Sequence, residues 1–159
     1  MTSDEYWMNI AIEEAKLAMR ENEVPVGAVL VGNNKFISKA HNQSIMFNDP
    51  SAHAEIQLLR KAGEEEKNYR LLDTTLYVTL EPCTMCFGAM IHARIKKLVF
   101  GARDPKSGVC GSAINLPFSP FYNHRIEVDS GILEKECKQI LKDFFLSKRN
   151  KNFRTLNLI

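Results

Sequence analysis

Near the N-terminus, the apolar positions have the spacing of an amphipathic helix. Between Met8 and Met19, apolar residues recur three and four positions apart, which places them on one side of a helix. Thr2 and Glu5 have the spacing of a capping box, so we expect the helix to begin beside Thr2. The segment 2–22 is therefore predicted to be a helix with one buried face.

The following segments alternate between strand-like and helix-like patterns. A continuous apolar run over 24–31, a turn signal at 32–34 and a second apolar segment over 35–42 predict a hairpin. Further strands are predicted over 75–80, 96–102 and 124–131. Further helices are predicted from 52 for about ten residues, from 81 to 94, and from 132 to 145. This alternation is typical of an α/β layered domain.

Length and composition agree with one globular domain. The chain has 159 residues, 45% of them hydrophobic and 25% charged, which predicts a single domain over 1–159. Residues 150–159 are expected to form a flexible basic tail. The first residues lack a signal-peptide pattern, and no apolar run approaches the roughly 20 residues of a membrane span. We therefore expect a cytoplasmic protein that has no contact with a membrane.

Two of the four cysteines have a spacing that suggests chemistry. Thiols in the cytoplasm stay reduced, so closely spaced cysteines indicate a metal site or catalysis. Cys83 and Cys86 lie three apart at a predicted helix start, where both sulfurs face the same side. Together with His53 they make three potential metal ligands. A redox motif and a structural zinc site closed by Cys110 are the alternatives to a catalytic metal site. A catalytic zinc site leaves its fourth position to water, whereas a structural site is closed by four protein ligands.

Glu55 favours the catalytic interpretation. It lies two residues after His53, and a carboxylate beside a metal-activated water can take and return a proton. Two thiolates cancel the double charge of zinc and weaken its pull on bound water, so a base becomes more important. The same carboxyl, once protonated, can then act as an acid. A structural zinc site has no use for such a group.

The segments "HAE" at 53–55 and "PCTMC" at 82–86 match the H-x-E…P-C-x-x-C signature of the zinc nucleobase deaminases. Other segments, including "EVPVGAVLV" and "VFGARDPKSGVCGS", resemble the bacterial tRNA-specific adenosine deaminases, and together the similarity covers about residues 5–149. This resemblance implies a three-layer cytidine-deaminase-like α/β fold, with a five-stranded mixed sheet between helices. It also implies zinc-dependent hydrolytic deamination of adenosine to inosine at the wobble position of a tRNA anticodon.

Roles for individual residues follow from the resemblance. His53, Cys83 and Cys86 match the ligands of one zinc ion per chain, and Glu55 matches the proton shuttle. Asn42 matches an asparagine that contacts the target base, and Asp104 matches a polar residue near the ribose of the flipped nucleotide. Without the resemblance, both would be interpreted first as turn residues.

The chain also departs from the family pattern, and two further expectations concern partners. Phe87 replaces a small residue that is frequent in relatives, and the segment 112–124 looks variable. The helix around 83–95 is apolar on more than one face, which together with the resemblance predicts a homodimer. The predicted partner is a tRNA anticodon stem-loop, whose phosphates would contact basic residues near the C-terminus. The basic residues of that run are Lys148, Arg149, Lys151 and Arg154.

Two alternative functions remain open from the sequence. One is a deaminase of the same superfamily that acts on a free base such as guanine or cytosine, or on a nucleotide. The other is a non-catalytic RNA-binding module stabilised by zinc, which Glu55 argues against. His124 lies in a family-like segment, which leaves a role on the substrate side open for it.

Overall fold

The computed structural model describes the backbone of residues 2–156 and the side chains of residues 2–151. It contains one five-stranded sheet with the order β2-β1-β3-β4-β5. The strands are β1 (Gly27–Gly32), β2 (Lys35–His41), β3 (Thr74–Leu80), β4 (Lys97–Ala102) and β5 (Glu127–Ser130). The α-helices are α1 (Asp4–Arg20), α2 (Ser44–Phe47), α3 (Ala54–Glu66), α4 (Thr84–Ala93) and α5 (Glu134–Leu156), and a single 3₁₀ turn covers Leu116–Phe118.

The sheet is mixed. Strand β1 pairs with β2 and with β3 in antiparallel orientation, whereas β3, β4 and β5 run parallel to one another. Parallel neighbours need crossover connections, and α4 provides the one between β3 and β4. The carboxyl ends of β3 and β4 therefore meet at one edge of the sheet, where open α/β sheets commonly bind ligands.

Helices cover both faces of the sheet, which confirms the predicted three-layer architecture. One apolar cluster lies between the sheet and helices α3 and α4, and its largest members include Leu58, Phe87 and Met90. A second cluster lies between the sheet and helices α1 and α5, and it includes Trp7 and Cys137. A side chain at Gly27 would approach the carbonyl oxygen of Ala11 to 2.0 Å, so glycine lets α1 pack closely on β1.

Local details differ from the sequence-based expectations at the ends of elements. The cap of α1 is Ser3 rather than Thr2, because the Ser3 hydroxyl accepts a hydrogen bond from the Tyr6 N–H at 3.2 Å. Helix α4 begins at Thr84 rather than at residue 81, and Cys83 is its N-cap. The sequence did not predict α2, which at four residues is too short to show a helical period.

Helix α5 extends well beyond the predicted end at residue 145. It continues to Leu156, so residues 150–156 of the expected basic tail are helical. The side chain of Arg154 and residues 157–159 lie outside the described part of the chain. Within residues 2–156, no helix is long and apolar enough to cross a membrane.

Candidate active site

The structure brings His53, Cys83 and Cys86 together at the start of two helices. His53 is the N-cap of α3, Cys83 is the N-cap of α4, and Cys86 lies in the first turn of α4. Their ligand atoms all lie within 4.8 Å of one another. The partial positive charge of two helix N-termini favours thiolates at this position. The local sequence thus places an anionic cluster where the two helices converge.

The donor set fits a zinc ion. The Sγ atoms of Cys83 and Cys86 lie 3.7 and 3.5 Å from His53 Nδ1. Tetrahedral zinc with ordinary zinc–sulfur and zinc–nitrogen distances would separate nitrogen and sulfur ligands by about 3.6 Å. His53 would bind the ion through Nδ1. The Nδ1 atom and the two sulfur atoms would need to move little to reach tetrahedral zinc geometry. Soft sulfur with imidazole in this arrangement is typical of zinc.

Hydrogen bonds within the cluster shift the pKa values of its three members. The hydrogen bond from Cys86, followed by that from His53, lowers the pKa of Cys83 to about 4, against the effect of burial. The hydrogen bond to Cys83 and burial raise the pKa of Cys86. The hydrogen bond with Cys83 also raises the pKa of His53. The lowered pKa of Cys83 favours the thiolate, the form of cysteine that binds metal.

Glu55 lies beside this cluster and is almost completely buried. Only 4% of its surface is exposed, and burial raises the pKa of its carboxyl. It lies in the first turn of α3, two residues after His53, and it interacts with the Cys86 thiol. A buried carboxyl with a raised pKa is suited to take up a proton and return it near neutral pH.

A cleft of about 300 Å³ opens onto the cluster. His53, Glu55, Cys83, Asn42 and Asp104 line it, so the structure places these five predicted site residues around one cavity. Cys86 lies below the cleft and is fully buried. A second cleft of about 1050 Å³ lies elsewhere, between the 103–112 loop and β5, and none of the six predicted site residues lines it.

The side-chain oxygen of Asn42 already accepts a hydrogen bond within the fold. The Ala54 N–H donates a hydrogen bond of 2.7 Å to Asn42 Oδ1, which ties the end of β2 to the start of α3. The part of the amide left for a ligand is the NH₂ group, which can only donate. Asn42 therefore has the turn role suggested by its residue type and also a position in the cleft.

Asp104 likewise organises backbone and lines the cleft. Its Oδ1 accepts hydrogen bonds from the N–H groups of Lys106 and Ser107 at 3.1 and 3.2 Å. This turn begins directly after β4, at the same sheet edge as the cysteines. The second carboxylate oxygen remains for a ligand in the cleft.

Two other candidates do not join the site. Cys110 is buried but is absent from the cluster, which contains only His53, Cys83 and Cys86 among the described residues. The His124 Nε2 is 2.8 Å from the carbonyl oxygen of Ile95, which precedes β4 and so lies at the opposite edge of the sheet. His124 therefore anchors a loop and is not on the substrate side.

Two buried carboxylates near the cleft, Glu23 and Glu81, were not predicted from the sequence. The N–H groups of Ile45 and Met46 both donate to Glu23 at 2.9 Å, which holds α2 beside the cleft. Glu81 lines the cleft and accepts hydrogen bonds from the loop after β4. For Glu81, the signal available in the sequence was an acidic residue directly after the apolar strand β3. Its partners, however, are backbone groups that a residue pattern does not reveal.

Comparison with protein families first gives the class. A family model described as MafB19-like deaminase matches residues 2–149. The fold is shared with a guanine deaminase from Nitrosomonas europaea, with a TM-score of 0.76 at 23% identity over 91% of this chain and 85% of that chain. The match to the family model over residues 2–149 identifies the chain as a member of a deaminase family.

More similar relatives give the family. The tRNA-specific adenosine deaminase of Haemophilus influenzae is 51% identical over 92% of this chain and 85% of its own length. The tRNA-specific adenosine deaminase of Bacillus subtilis is 48% identical over 95% of this chain and 94% of its own length. A solved structure from studies of A-to-I editing by tRNA deaminases at the wobble position of transfer RNA has a TM-score of 0.83 at 43% identity, and the match covers 86% of this chain and 99% of that chain. The chain belongs to the family of tRNA-specific adenosine deaminases.

Proposed function

We propose that this protein hydrolyses adenosine to inosine at the wobble position of a tRNA anticodon. The observation that carries the proposal is the cleft in which a His–Cys–Cys cluster lies beside a buried glutamate. Family membership supports adenosine in tRNA as the substrate. One zinc ion per chain, held by His53, Cys83 and Cys86, would supply Lewis-acid activation of a water molecule.

Glu55 is the proton carrier of the proposed reaction. Water adds to carbon 6 of the adenine ring, and Glu55 takes a proton from that water. Glu55 passes this first proton to ring nitrogen 1. It then takes the second proton, from the hydroxyl group now bonded to carbon 6, and passes it to the amino group, so that the carbon–nitrogen bond breaks, ammonia leaves and the oxygen becomes the carbonyl oxygen of inosine. Burial of Glu55 supports this role, since the raised pKa lets one group act as base and then as acid.

Asn42 and Asp104 orient the substrate in this proposal. The NH₂ group of Asn42 would donate to an acceptor nitrogen of the flipped base. The free oxygen of the Asp104 carboxylate would accept from a ribose hydroxyl, a contact that selects RNA over DNA. Both side chains are held by backbone hydrogen bonds, so little ordering is needed when the substrate binds.

The substrate is expected to be a single-stranded loop rather than a duplex. An adenine stacked in a helix cannot reach the floor of this cleft, whereas the bases of an anticodon loop can be splayed out. Basic residues at the end of α5, among them Lys148 and Arg149, would contribute phosphate contacts. Since tRNA is a cytoplasmic molecule, we place the protein in the cytoplasm.

We propose a homodimer formed through helices α3 and α4. Of the apolar residues on α4 that suggested a partner, Phe87, Met90 and Ile91 are buried within the chain itself. The support lies instead in an apolar groove of about 570 Å³ along the outer faces of both helices. Tyr69, which is 69% exposed, and Leu59 line this groove. A second copy would cover these side chains.

The experiment that tests the function compares five substrates in one ammonia-release assay. They are an anticodon stem-loop with adenosine at the wobble position, its guanosine-substituted form, free adenosine, free guanine and free cytosine. We expect the adenosine stem-loop to react far faster than the others, because contacts remote from the reacting carbon position it.

Each alternative function has its own outcome in this assay. Faster turnover of free guanine or free cytosine would assign the chain to a free-base deaminase. Tight binding of the stem-loop without ammonia release, in a zinc-loaded protein, would indicate a non-catalytic RNA-binding module. Inosine at the wobble position of cellular tRNA, present with this protein and absent without it, would confirm the proposed substrate.

A further inference from the structure

Glu81 is a buried carboxylate that the proposed reaction does not use. It follows β3 directly, only 2% of its surface is exposed, and it lies two residues before Cys83. Burial of an ionisable group is costly unless its oxygens are fully hydrogen-bonded. The partners of Glu81 therefore indicate what its position stabilises.

Among the described residues, the hydrogen-bond partners of the Glu81 side chain all lie in the loop 103–112, which follows β4. The Asp104 N–H donates to Oε1 at 3.2 Å, and the N–H groups of Cys110 and Ser112 donate to Oε2 at 2.9 and 3.3 Å. The Ser112 hydroxyl donates a further short hydrogen bond to Oε1. One carboxylate thus binds both ends of the loop.

The loop also packs directly against this carboxylate. A side chain at Gly108 would approach the Glu81 carboxyl carbon to 2.4 Å, so only glycine fits there. The backbone joins the two segments as well, since the Val109 N–H donates to the Pro82 carbonyl oxygen at 3.0 Å. Asp104 and Ser107, which line the cleft, belong to the part of the loop that Glu81 holds.

We propose that Glu81 is a positioning residue that sets the wall of the cleft formed by Asp104 and Ser107 at a defined distance from the ligands on α4. This proposal rests on the proposed function, because that function makes this wall the binding site of the flipped nucleotide. The hydrogen bonds of the Glu81 side chain go to the loop and not to the donor atoms of His53, Cys83 or Cys86. Its effect on the reaction passes through the loop.

The charge and shape of the carboxylate both matter for this role. Four donors converge on two oxygens, and a carboxylate offers acceptor sites on both. In Glu81→Gln, one of the two atoms becomes an NH₂ group that faces donors and cannot accept. At least one buried N–H of the loop then loses its partner, which destabilises the present loop conformation.

The test combines hydrogen exchange with steady-state kinetics on zinc-loaded Glu81→Gln. We expect amide exchange at residues 104, 110 and 112 to rise about tenfold or more, while exchange in β1 and β3 stays unchanged. The KM for the adenosine stem-loop should rise about tenfold, with kcat within about threefold of the unaltered protein. Zinc content should be unchanged, since all three ligands remain.

Glu14→Gln is the matched control. Glu14 is also a buried carboxylate, but its partners are His41 and Lys39, neither of which lines the cleft. It should lower the melting temperature without changing KM or exchange in the loop. If Glu81→Gln does not fold, Ser112→Ala removes one donor and should shift loop exchange and KM in the same direction by a smaller factor.

Two results would overturn the proposal. Unchanged exchange in the loop of Glu81→Gln would mean that Glu81 does not hold it. Raised exchange with an unchanged KM would mean that the loop position does not matter to the substrate. An unaltered protein that fails to act on the stem-loop contradicts the proposed function instead, and the exchange measurement then decides by itself whether Glu81 positions the loop.

Discussion

Three buried glutamates show how the partner of a carboxylate decides its role. Glu55 faces the cysteine cluster and the cleft, Glu81 binds the backbone of one loop, and Glu14 binds the imidazole of His41. The residue type alone does not distinguish them. Of these three environments, the sequence pattern revealed only that of Glu55, through its spacing from His53.

The role of Glu55 is tested by Glu55→Gln, which keeps the size of the side chain but cannot carry a proton. We expect zinc content and stem-loop binding to be retained and deamination to fall by about 10²–10⁴-fold or more, the range of general acid–base contributions. Single-turnover rates on the adenosine stem-loop measure this loss. Activity within threefold of the unaltered protein would show that another group carries the proton.

The metal ligands are tested by His53→Ala and Cys83→Ala. Each leaves two of three ligands, so we expect zinc to be lost and the melting temperature to fall, because metal bound only by the folded chain stabilises it. Elemental analysis of the purified proteins gives the zinc content. Cys110→Ala is the matched control, since Cys110 is also buried but lies outside the cluster. Full occupancy in both ligand variants would refute the assignment.

His41 predicts a pH dependence of stability. Its Nδ1 and Nε2 lie 2.9 Å from carboxylate oxygens of Glu14 and Glu21, an arrangement that needs both ring nitrogens protonated. The hydrogen bond with Glu14 raises the pKa of His41 above 6.5. Burial of Glu14 opposes ionisation, but the hydrogen bonds of His41 and Lys39 outweigh it, so the pKa of Glu14 falls below 4.5.

The sign of the effect follows from these directions. The contribution of His41 is fully present below its unfolded pKa near 6.5 and is lost as the pH rises through its higher folded value. We expect unfolding in urea to show His41→Gln less stable than the unaltered protein at pH 6, with a difference that shrinks towards pH 9. A difference independent of pH would refute the charge-based explanation.

At the scale of elements, the end of α5 carries the predicted contact with phosphates. Replacing Lys148, Arg149 and Lys151 together by alanine should weaken stem-loop binding and reduce the slope of log K against log salt by as much as about 0.7 for each lost contact with a single strand. Fluorescence titration at several salt concentrations measures the slope. Zinc content should not change, and a slope equal to that of the unaltered protein would remove α5 from the RNA interface.

Regular elements with clear periods could be predicted from the sequence, whereas their ends and the irregular segments could not. The strands β1, β3 and β4 are apolar and buried, so their patterns were distinctive. The cap at Ser3 depends on one hydroxyl hydrogen bond, and α2 on two hydrogen bonds to Glu23. The contacts of Glu23 with α2 join distant segments and leave no local pattern. The cap is a local contact, but Thr2 and Ser3 both carry a hydroxyl group, so the residue types do not show which one accepts the hydrogen bond. The cluster was predictable because the chemistry of zinc demands particular residue types.

Two features that differ from the family pattern are in contact. The ring of Phe87, on α4, packs edge-on against Tyr122 at a centroid distance of 5.8 Å. Tyr122 belongs to the segment 112–124, which was expected to be variable. Phe87 therefore has an aromatic partner in that segment.

At the scale of the whole molecule, the groove between α3 and α4 predicts the oligomeric state. Light scattering should give twice the chain mass of 18.1 kDa, and Leu59→Arg should shift the protein towards the single-chain mass, because it places a charge in an apolar interface. Phe118→Arg is the control, since Phe118 is also exposed but lies outside the groove. A dimer that is unaffected by Leu59→Arg would use another surface.

The strand order has a consequence for how the protein is made. Strands β1 to β4 are each paired with a near neighbour in sequence, and both helices that carry the cluster lie between β2 and β4. The three cluster residues and four of the five strands are therefore contained in the first two thirds of the chain. During synthesis, this part leaves the ribosome before α5 does. We expect a nascent chain to capture its metal early, and α5 to close the opposite face afterwards.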